Sequence, residues 1–149
     1  MITVGEIFHI ITQKAPTIRE DKTISEAIDV ILEDTRASSV FVVDEGNNLR
    51  GIIDIHVLLQ LAESINREFE KNETISTDSE AFLHMLGNLL ANYKVSQVMK
   101  KPISVEKAEP ISRAIFLMKT NNVYELPVVE GEQLVGVLNF CEILYNLKK

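Results

Sequence analysis

The sequence of 149 residues has no tryptophan, one cysteine, four prolines and six glycines. Its lone cysteine, Cys141, cannot form a disulfide within the chain, which suits a reducing compartment. So little glycine and proline argues against long disordered or low-complexity segments. No apolar run approaches the roughly 20 residues that cross a bilayer, and the first residues lack the basic start of a signal peptide. We therefore expect a globular, cytoplasmic protein that does not bind a membrane.

Basic side chains are also scarce, because 15 lysines and arginines face 22 acidic residues, for a formal net charge of −7. A general nucleic-acid binder needs a basic face that displaces counterions from phosphates, so this charge argues against nucleic acid as a partner. A chain of this length can bury one good core, or two small cores that share an interface.

One short sequence element occurs twice. The segments "GIIDIHVLL", residues 51–59, and "GVLNFCEIL", residues 136–144, both run from a glycine through apolar residues and a short polar residue into an apolar stretch of helical character. The offset between them is too long for a common solenoid repeat. We therefore expect two similar subdomains packed together rather than an open array.

A predicted helix precedes each copy of this element. Thr23 and Glu26 have the spacing of a capping box, so a helix should begin at Thr23. Pro110 suits the first position of the corresponding helix in the second half. The apolar spacing predicts that the buried faces consist of Ile24, Ala27, Ile28, Ile31 and Leu32 in the first helix, and of Ile111, Ala114, Ile115 and Met118 in the second.

A predicted β-hairpin follows each of these helices. The segments "SSVFVVDEGNNLRGIID" and "ELPVVEGEQLVGVLN" contain β-branched runs joined by turn residues, with Gly131-Glu132 as a tight turn in the second. Short extended segments at 15–18 and 101–105 precede the units, and final helices open at Asp54 and Asn139. Each half is therefore predicted to be β-α-β-β-α.

The duplicated segments "SVFVVDEGNNLRGIIDI" and "LPVVEGEQLVGVLNF" resemble a tandem pair of CBS domains, the Bateman module, and the resemblance covers nearly everything except residues 64–94. It implies an α/β (α+β) fold of two β-α-β-β-α CBS subdomains packed with pseudo-two-fold symmetry, plus an inserted helical linker. The expected boundaries are 1–63 for CBS domain 1, 64–94 for the linker and 95–149 for CBS domain 2.

The family resemblance implies binding of an adenosine-containing ligand, such as AMP, ADP, ATP or S-adenosylmethionine, in the cleft between the subdomains. In such proteins the last strand leads into a Ser or Thr that assists phosphate and, three residues later, an Asp that holds the ribose diol. The chemistry is sound, because a helix N-terminus offers unpaired N–H groups to an anion and a carboxylate can accept from two vicinal hydroxyls.

In the second copy, Asn139 occupies the hydroxyl position and Glu142 the acidic position. Asn139 can cap its helix and still donate to a phosphate, while Glu142 keeps an acceptor carboxylate one methylene longer than Asp. The same spacing also fits a simple capping box, and the two interpretations do not exclude each other. Further candidates carried over by analogy are Ile103, Ser104, Val105, Tyr124, Glu125, Leu126 and Pro127, with Lys100, Lys101 and Arg113 as phosphate cations.

The first copy departs further from the family pattern. Asp54 stands at the hydroxyl position and Val57 at the acidic one, so the diol acceptor is absent. At about 5 Å and an effective dielectric near 20, a carboxylate repels a phosphate by roughly 3 kcal/mol per unit charge. We favour a helix N-cap as the role of Asp54. The weaker ligand candidates in this copy are Thr17, Ile18, Ser38, Ser39 and Asp54.

No catalytic or metal-ligating constellation is evident. The histidines His9, His56 and His84 lack metal-ligand spacing, and Cys141 is expected to be a small buried residue. The linker instead carries an apolar stripe at helical spacing, formed by Phe82, Met85, Leu86, Leu89, Leu90 and Tyr93. Such a stripe must be covered by the module's own flank, by a second copy of the chain or by a partner protein. Of these we favour self-association into a homodimer, which the family resemblance also implies.

Two functional hypotheses follow. The first is a stand-alone regulatory module, not an enzyme, that senses an adenosine-type small molecule and signals to an effector protein still unknown. The second is a structural or adaptor module for dimerisation whose nucleotide sites have degenerated. Asn139 and Glu142 favour the first hypothesis, and Asp54 and Val57 favour the second.

Overall fold

The computed structural model describes residues 1–8, 15–33, 39–71 and 79–148. Its elements in chain order are α1 (Val4–Phe8), β1 (Thr17–Arg19), α2 (Ile24–Glu33), β2 (Ser39–Val43), β3 (Leu49–Asp54), α3 (Ile55–Lys71), α4 (Ser79–Ala91), α5 (Val95–Val98), β4 (Val105–Glu106), α6 (Ile111–Asn121), β5 (Glu125–Glu130), β6 (Gln133–Asn139) and α7 (Phe140–Leu147). The series β1-α2-β2-β3-α3 and β4-α6-β5-β6-α7 confirm the predicted β-α-β-β-α repeat.

These elements form two compact units that interleave along the sequence. Unit A contains Met1–Ala15, Val43–Leu49 and Pro102–Lys149, and unit B contains Pro16–Val42 and Arg50–Lys101. The boundaries predicted at 63 and 95 separate the two sequence repeats and do not coincide with these two structural units. They remain a prediction.

The sheet of unit A has the strand order β4-β5-β6. Strand β4 runs parallel to β5, with Val105 opposite Val128, and β6 runs antiparallel to β5, with Glu125 opposite Asn139. Gly131 has a φ of 66° in the β5–β6 turn, a conformation that glycine adopts without steric cost. The core beneath this sheet consists of Val4, Ile7, Val105, Ala114, Met118, Leu126, Val128, Leu138 and Ile143.

Unit B contains the β1-β2-β3 sheet except for its end residues Val43 and Leu49, which belong to unit A. Its helix α2 starts with the predicted capping box, because Thr23 N donates to Glu26 Oε2 at 2.9 Å and Glu26 N donates to Thr23 Oγ1 at 3.2 Å. Gly51 in β3 lies directly against Met99, where a Cβ atom would come within 2.5 Å of the sulfur. The core of unit B consists of Ile18, Ile24, Ala27, Ile31, Val40, Val42, Ile53, Val57 and Val95.

Two short helices that the sequence analysis missed, α1 and α5, also belong to these cores. Val4 of α1 is fully buried in unit A, and Val95 of α5 is fully buried in unit B. Thr3 forms a β-bridge with Pro110, and Lys94 forms one with Thr23, so each short helix begins beside the start of α6 or α2. The sequence signal is a second faint repeat, "TVGEI" and "KVSQV".

Two residues predicted for buried helix faces are exposed. Leu32 is 71% exposed and Ile115 is 41% exposed. A helix turns by about 100° per residue, so each residue points well away from its buried neighbour, Ile31 or Ala114. Pro110 is the N-cap of α6 rather than its first helical residue.

Helix α4 lies within the predicted linker and packs against α2 and α3. The side chains of its apolar stripe are half-buried, and Leu90 and Tyr93 contact the core of unit B. Leu83, outside the stripe, is 64% exposed. Unit B therefore covers part of the stripe itself, and a role for the stripe in a dimer stays a prediction.

Candidate functional site

Strand directions gather several candidate residues at one edge of the unit A sheet. Because β4 is parallel to β5 and β6 is antiparallel to it, the starts of β4 and β5 and the end of β6 lie at the same edge. Glu125 and Asn139 face each other there, and Ile103 and Ser104 enter it just before β4. All four are half-buried, so this edge is accessible.

The end of β6 turns directly into α7, and Asn139 caps that helix as predicted. Its Oδ1 accepts a hydrogen bond from Cys141 N at 2.8 Å, which leaves the Nδ2 amide group as a donor. Phe140 N donates to the Tyr124 carbonyl at 2.7 Å, which ties the chain before β5 to the helix start. Cys141 is exposed, so the prediction that it is buried was wrong. It sits on the outer side of the first turn of α7.

Glu142 is the unusual residue of this first turn. Its side chain is 5% exposed, and neither carboxylate oxygen has a hydrogen-bond partner in the described part of the chain. Burial raises the pKa of Glu142 from 4.5 to about 7, and the nearby Asn139 backbone opposes this shift without reaching hydrogen-bond geometry. Glu142 therefore does not complete a capping box with Asn139.

The corresponding residue of the first repeat shows what this position ordinarily requires. Val57 occupies it on α3, where it is 7% exposed and belongs to the core of unit B. An apolar side chain suits such a place, whereas a carboxyl group without a partner costs free energy. Glu142 is thus a polar group at a position that packing alone would fill with valine.

The other second-copy candidates differ in what they offer a ligand. Val105, Leu126 and Pro127 are buried, and their main chains take part in the strand pairing of the sheet. Tyr124 is 76% exposed, so its ring is free to stack on an aromatic ligand. The accessible polar groups of this edge therefore include those of Ser104 and Asn139, and the buried Glu142 follows Asn139 in the first turn of α7.

In the first repeat, both carboxylate oxygens of Asp54 have partners within the protein. Oδ1 accepts from Val57 N at 2.7 Å, which confirms the predicted N-cap, and Oδ2 forms an ion pair with Lys100 Nζ at 2.5 Å. The repulsion of phosphate expected from a bare carboxylate is therefore offset by this ammonium group. Sequence reasoning missed the pair because 46 residues separate its members, and no periodic pattern links them.

The remaining first-repeat candidates are scattered. Thr17 is exposed on β1, Ile18 is buried in the core of unit B, and Ser39 is half-buried at the start of β2. Ser38 lies outside the described residues. Unit B therefore brings Asp54 together with Lys100 and Val57, but it presents no carboxylate at the position of Val57.

The suggested phosphate cations are mostly engaged elsewhere. Lys100 pairs with Asp54, and Arg113 lies 3.6 Å from Glu109 and 5.5 Å from the centre of the Phe116 ring. Lys101 is exposed. Within residues 1–8, 15–33, 39–71 and 79–148, no three His, Cys, Asp or Glu side chains are grouped to hold a metal ion, and no helix has the length and apolar character to span a bilayer.

The family model for the CBS domain matches residues 4–63 and 95–149, the two repeats described above. The chain belongs to the CBS-domain family. A CBS domain-containing protein of Dictyostelium discoideum is 30% identical over 141 residues, which cover 89% of this CBS pair and 84% of the relative.

Solved CBS structures show the same fold. A CBS domain-containing protein from Thermotoga maritima has a TM-score of 0.71 at 30% identity, with 99% of this CBS pair and 94% of that chain covered. CBSX2, solved in complex with AMP, has a TM-score of 0.70 at 18% identity and is covered completely, as is this chain. The predicted fold class, two CBS repeats of mixed α and β structure, is therefore confirmed.

Proposed function

We propose that this CBS pair is a regulatory module that binds an adenosine-containing nucleotide at the edge formed by Tyr124, Glu125, Asn139 and Glu142 of unit A. The observation that carries the proposal is the buried Glu142 carboxyl group, which has no protein partner among the described residues. Ligand hydroxyl groups would give it hydrogen bonds that the protein itself does not. The complex of CBSX2 with AMP supports the choice of ligand class.

The roles assigned within this edge follow from the groups that each residue leaves available. Glu142 accepts from the ribose hydroxyl groups, and the Asn139 amide donates to a phosphate oxygen while its Oδ1 caps α7. The exposed Tyr124 ring stacks on the base. Binding at this edge would signal to an effector protein, and the module performs no catalysis.

A thermal-shift screen tests this function. Adenosine, AMP, ADP, ATP and S-adenosylmethionine are added separately, and a ligand at 100 times its Kd adds about 2.7 kcal/mol to the free energy of unfolding, a shift of several degrees. At least one of these ligands should produce such a shift. If all five leave the melting temperature unchanged at millimolar concentration, the protein is not a sensor of these compounds.

Matched variants locate the binding site. Glu142→Ala should weaken binding by about 1.5–3 kcal/mol through loss of a charge-assisted contact. Val57→Ala, at the same position of the other repeat, should lower stability and leave affinity unchanged. Isothermal titration measures both affinities, and equal losses at unchanged stability would move the site away from Glu142.

A structural or adaptor function is the second candidate. The first repeat favours it, because Asp54 is committed to Val57 N and Lys100, and Val57 is part of the core. In that case the module acts through dimerisation and its partner surface, with no nucleotide. A flat ligand screen together with a stable dimer supports this function over sensing.

We also propose that the protein is a homodimer, as the family resemblance implies. Light scattering over a concentration series measures the mass of the native chain and of a variant with Leu86→Glu and Leu89→Glu in α4. A folded monomeric variant supports an interface at α4. A variant that remains dimeric with a lowered melting temperature assigns the stripe to unit B, whose core α4 already covers.

A further inference from the structure

The isolation of Glu142 within unit A has a consequence for its charge. A carboxylate in a site with 5% exposure, with no donor at hydrogen-bond distance and angle on either oxygen in the described part of the unit, loses its hydration, and the nearby Asn139 backbone offsets only part of that loss. The protonated acid avoids most of that cost. The geometry of the ligand-free protein therefore favours the uncharged form.

The two described elements that pack against α7, α1 and β6, carry no cationic side chain that could reverse this preference. Strand β6 carries no ionisable side chain, and α1 carries an acidic residue that is exposed and accepts from Thr3 N at 3.2 Å. The paired strand β5 contributes a second acidic residue opposite Asn139. Among the described residues, the ionisable groups on and around α7 are Glu6, Glu125, Cys141, Tyr145, the exposed Lys148 beyond the end of the helix, and the α-amino group of Met1, a residue that lines a cavity with Phe140 and Ile143.

We propose that Glu142 is protonated in the ligand-free protein and ionises when the ligand's hydroxyl groups donate to it, so that nucleotide binding releases a proton and strengthens as pH rises. This inference rests on the proposed function. The proton leaves the carboxyl group for solvent, and the resulting carboxylate accepts the two ligand hydrogen bonds. The module would thereby report ligand concentration and pH together.

The direction and range of the effect follow from linkage. Burial raises the pKa of free Glu142 to about 7, and hydrogen-bond donors in the complex lower it again. Well below the pKa of the free protein, each unit of pH should change the affinity by about tenfold, which gives roughly 15-fold between pH 5.5 and 7 and roughly 30-fold between pH 5.5 and the plateau above pH 7.5. Above about pH 7.5 the affinity should become constant, because Glu142 is then already ionised.

The test is isothermal titration of the full chain with adenosine and with AMP across this pH range, in two buffers of different ionisation enthalpy. Adenosine comes first because it has no group that titrates near neutral pH, whereas the AMP phosphate has a second pKa of about 6. Glu142→Gln is the matched variant, and circular dichroism confirms that it is folded. It should bind adenosine with an affinity that does not depend on pH and that is no higher than the affinity of the native protein at pH 5.5.

The proposal predicts that the native protein releases close to one proton per ligand at pH 6 and about half a proton at pH 7. The Glu142→Gln variant should release no proton with adenosine, and with AMP only the proton of the phosphate group. Binding with the same pH dependence in both proteins overturns the proposal and leaves the proposed function intact. Absence of binding by the native protein at every pH overturns both. A carbon-13 NMR titration of the Glu142 carboxyl group in the free protein is a second measurement, and a midpoint near the ordinary value for Glu overturns the proposal independently.

Discussion

Replacing Glu142 by glutamine should change how stability depends on pH in the ligand-free protein. The folded-state pKa of about 7 exceeds the ordinary 4.5, so the folded state holds the proton more tightly than the unfolded chain. The stabilisation of the folded state by this protonated group is fully present below pH 4.5, declines as pH rises towards 7, and is absent above pH 7. At about 1.4 kcal/mol per pKa unit, the full effect is roughly 3 kcal/mol.

Glutamine keeps the shape of Glu142 without the titration, so the difference between the two proteins isolates this one group. The free energy of unfolding of the variant minus that of the native chain should increase by roughly 3 kcal/mol from pH 4.5 to pH 7.5. The difference between their melting temperatures should increase by about 10 °C over the same range. Circular dichroism melts at four pH values measure it. Glu132→Gln, at an exposed position of the β5–β6 turn, is the control and should show no such trend. Parallel pH profiles of native protein and Glu142→Gln would refute the reasoning.

Substitutions at Asp54, Gly51 and Leu90, with Asp54→Asn and Leu83→Ala as comparisons, test the cap of α3 and the packing of unit B by chemical denaturation. Asp54→Ala removes the N-cap of α3 and should lower the free energy of unfolding by about 1–2 kcal/mol. Asp54→Asn keeps a capping oxygen and should lower it by less. Equal losses in the two variants would contradict the role of Asp54 as an N-cap. Gly51→Ala forces a Cβ atom against Met99 and should cost about 1–3 kcal/mol, so a neutral result would mean that this contact yields freely. Leu90→Ala should lower the free energy of unfolding by about 1–2 kcal/mol, and the exposed Leu83→Ala should lower it by less than about 0.5 kcal/mol. A larger loss for Leu83→Ala than for Leu90→Ala would contradict the packing of α4 described above.

The repeated fold was predictable because its signals are local. The capping box of Thr23 and Glu26, the turn at Gly131 and the caps at Asp54 and Asn139 all act within a few residues, and each is present in the structure. The apolar spacing of α2 and α6 predicted their buried faces correctly, except that Leu32 and Ile115 at the edges of these faces are exposed. Caps and turns of this kind form between residues close in sequence, so they do not depend on how the helices and strands pack.

The features that escaped prediction depend on distant parts of the chain. Nothing local indicates that α1 packs in unit A, because its bridge from Thr3 reaches Pro110. The ion pair of Lys100 with Asp54 is equally remote in sequence. The family resemblance pointed to Glu142, yet its burial without a partner arises from packing around α7, which the sequence spacing does not encode.

The central claim, that an adenosine nucleotide binds at the Asn139–Glu142 edge of unit A, is tested most directly by NMR. Amide nitrogen–proton correlation spectra are recorded while AMP is added to millimolar concentration. The largest shifts should fall on the amides of Tyr124, Glu125 and residues 139–142, with little change at 54–57. Shifts confined to 54–57, or no shifts at all, would contradict the account.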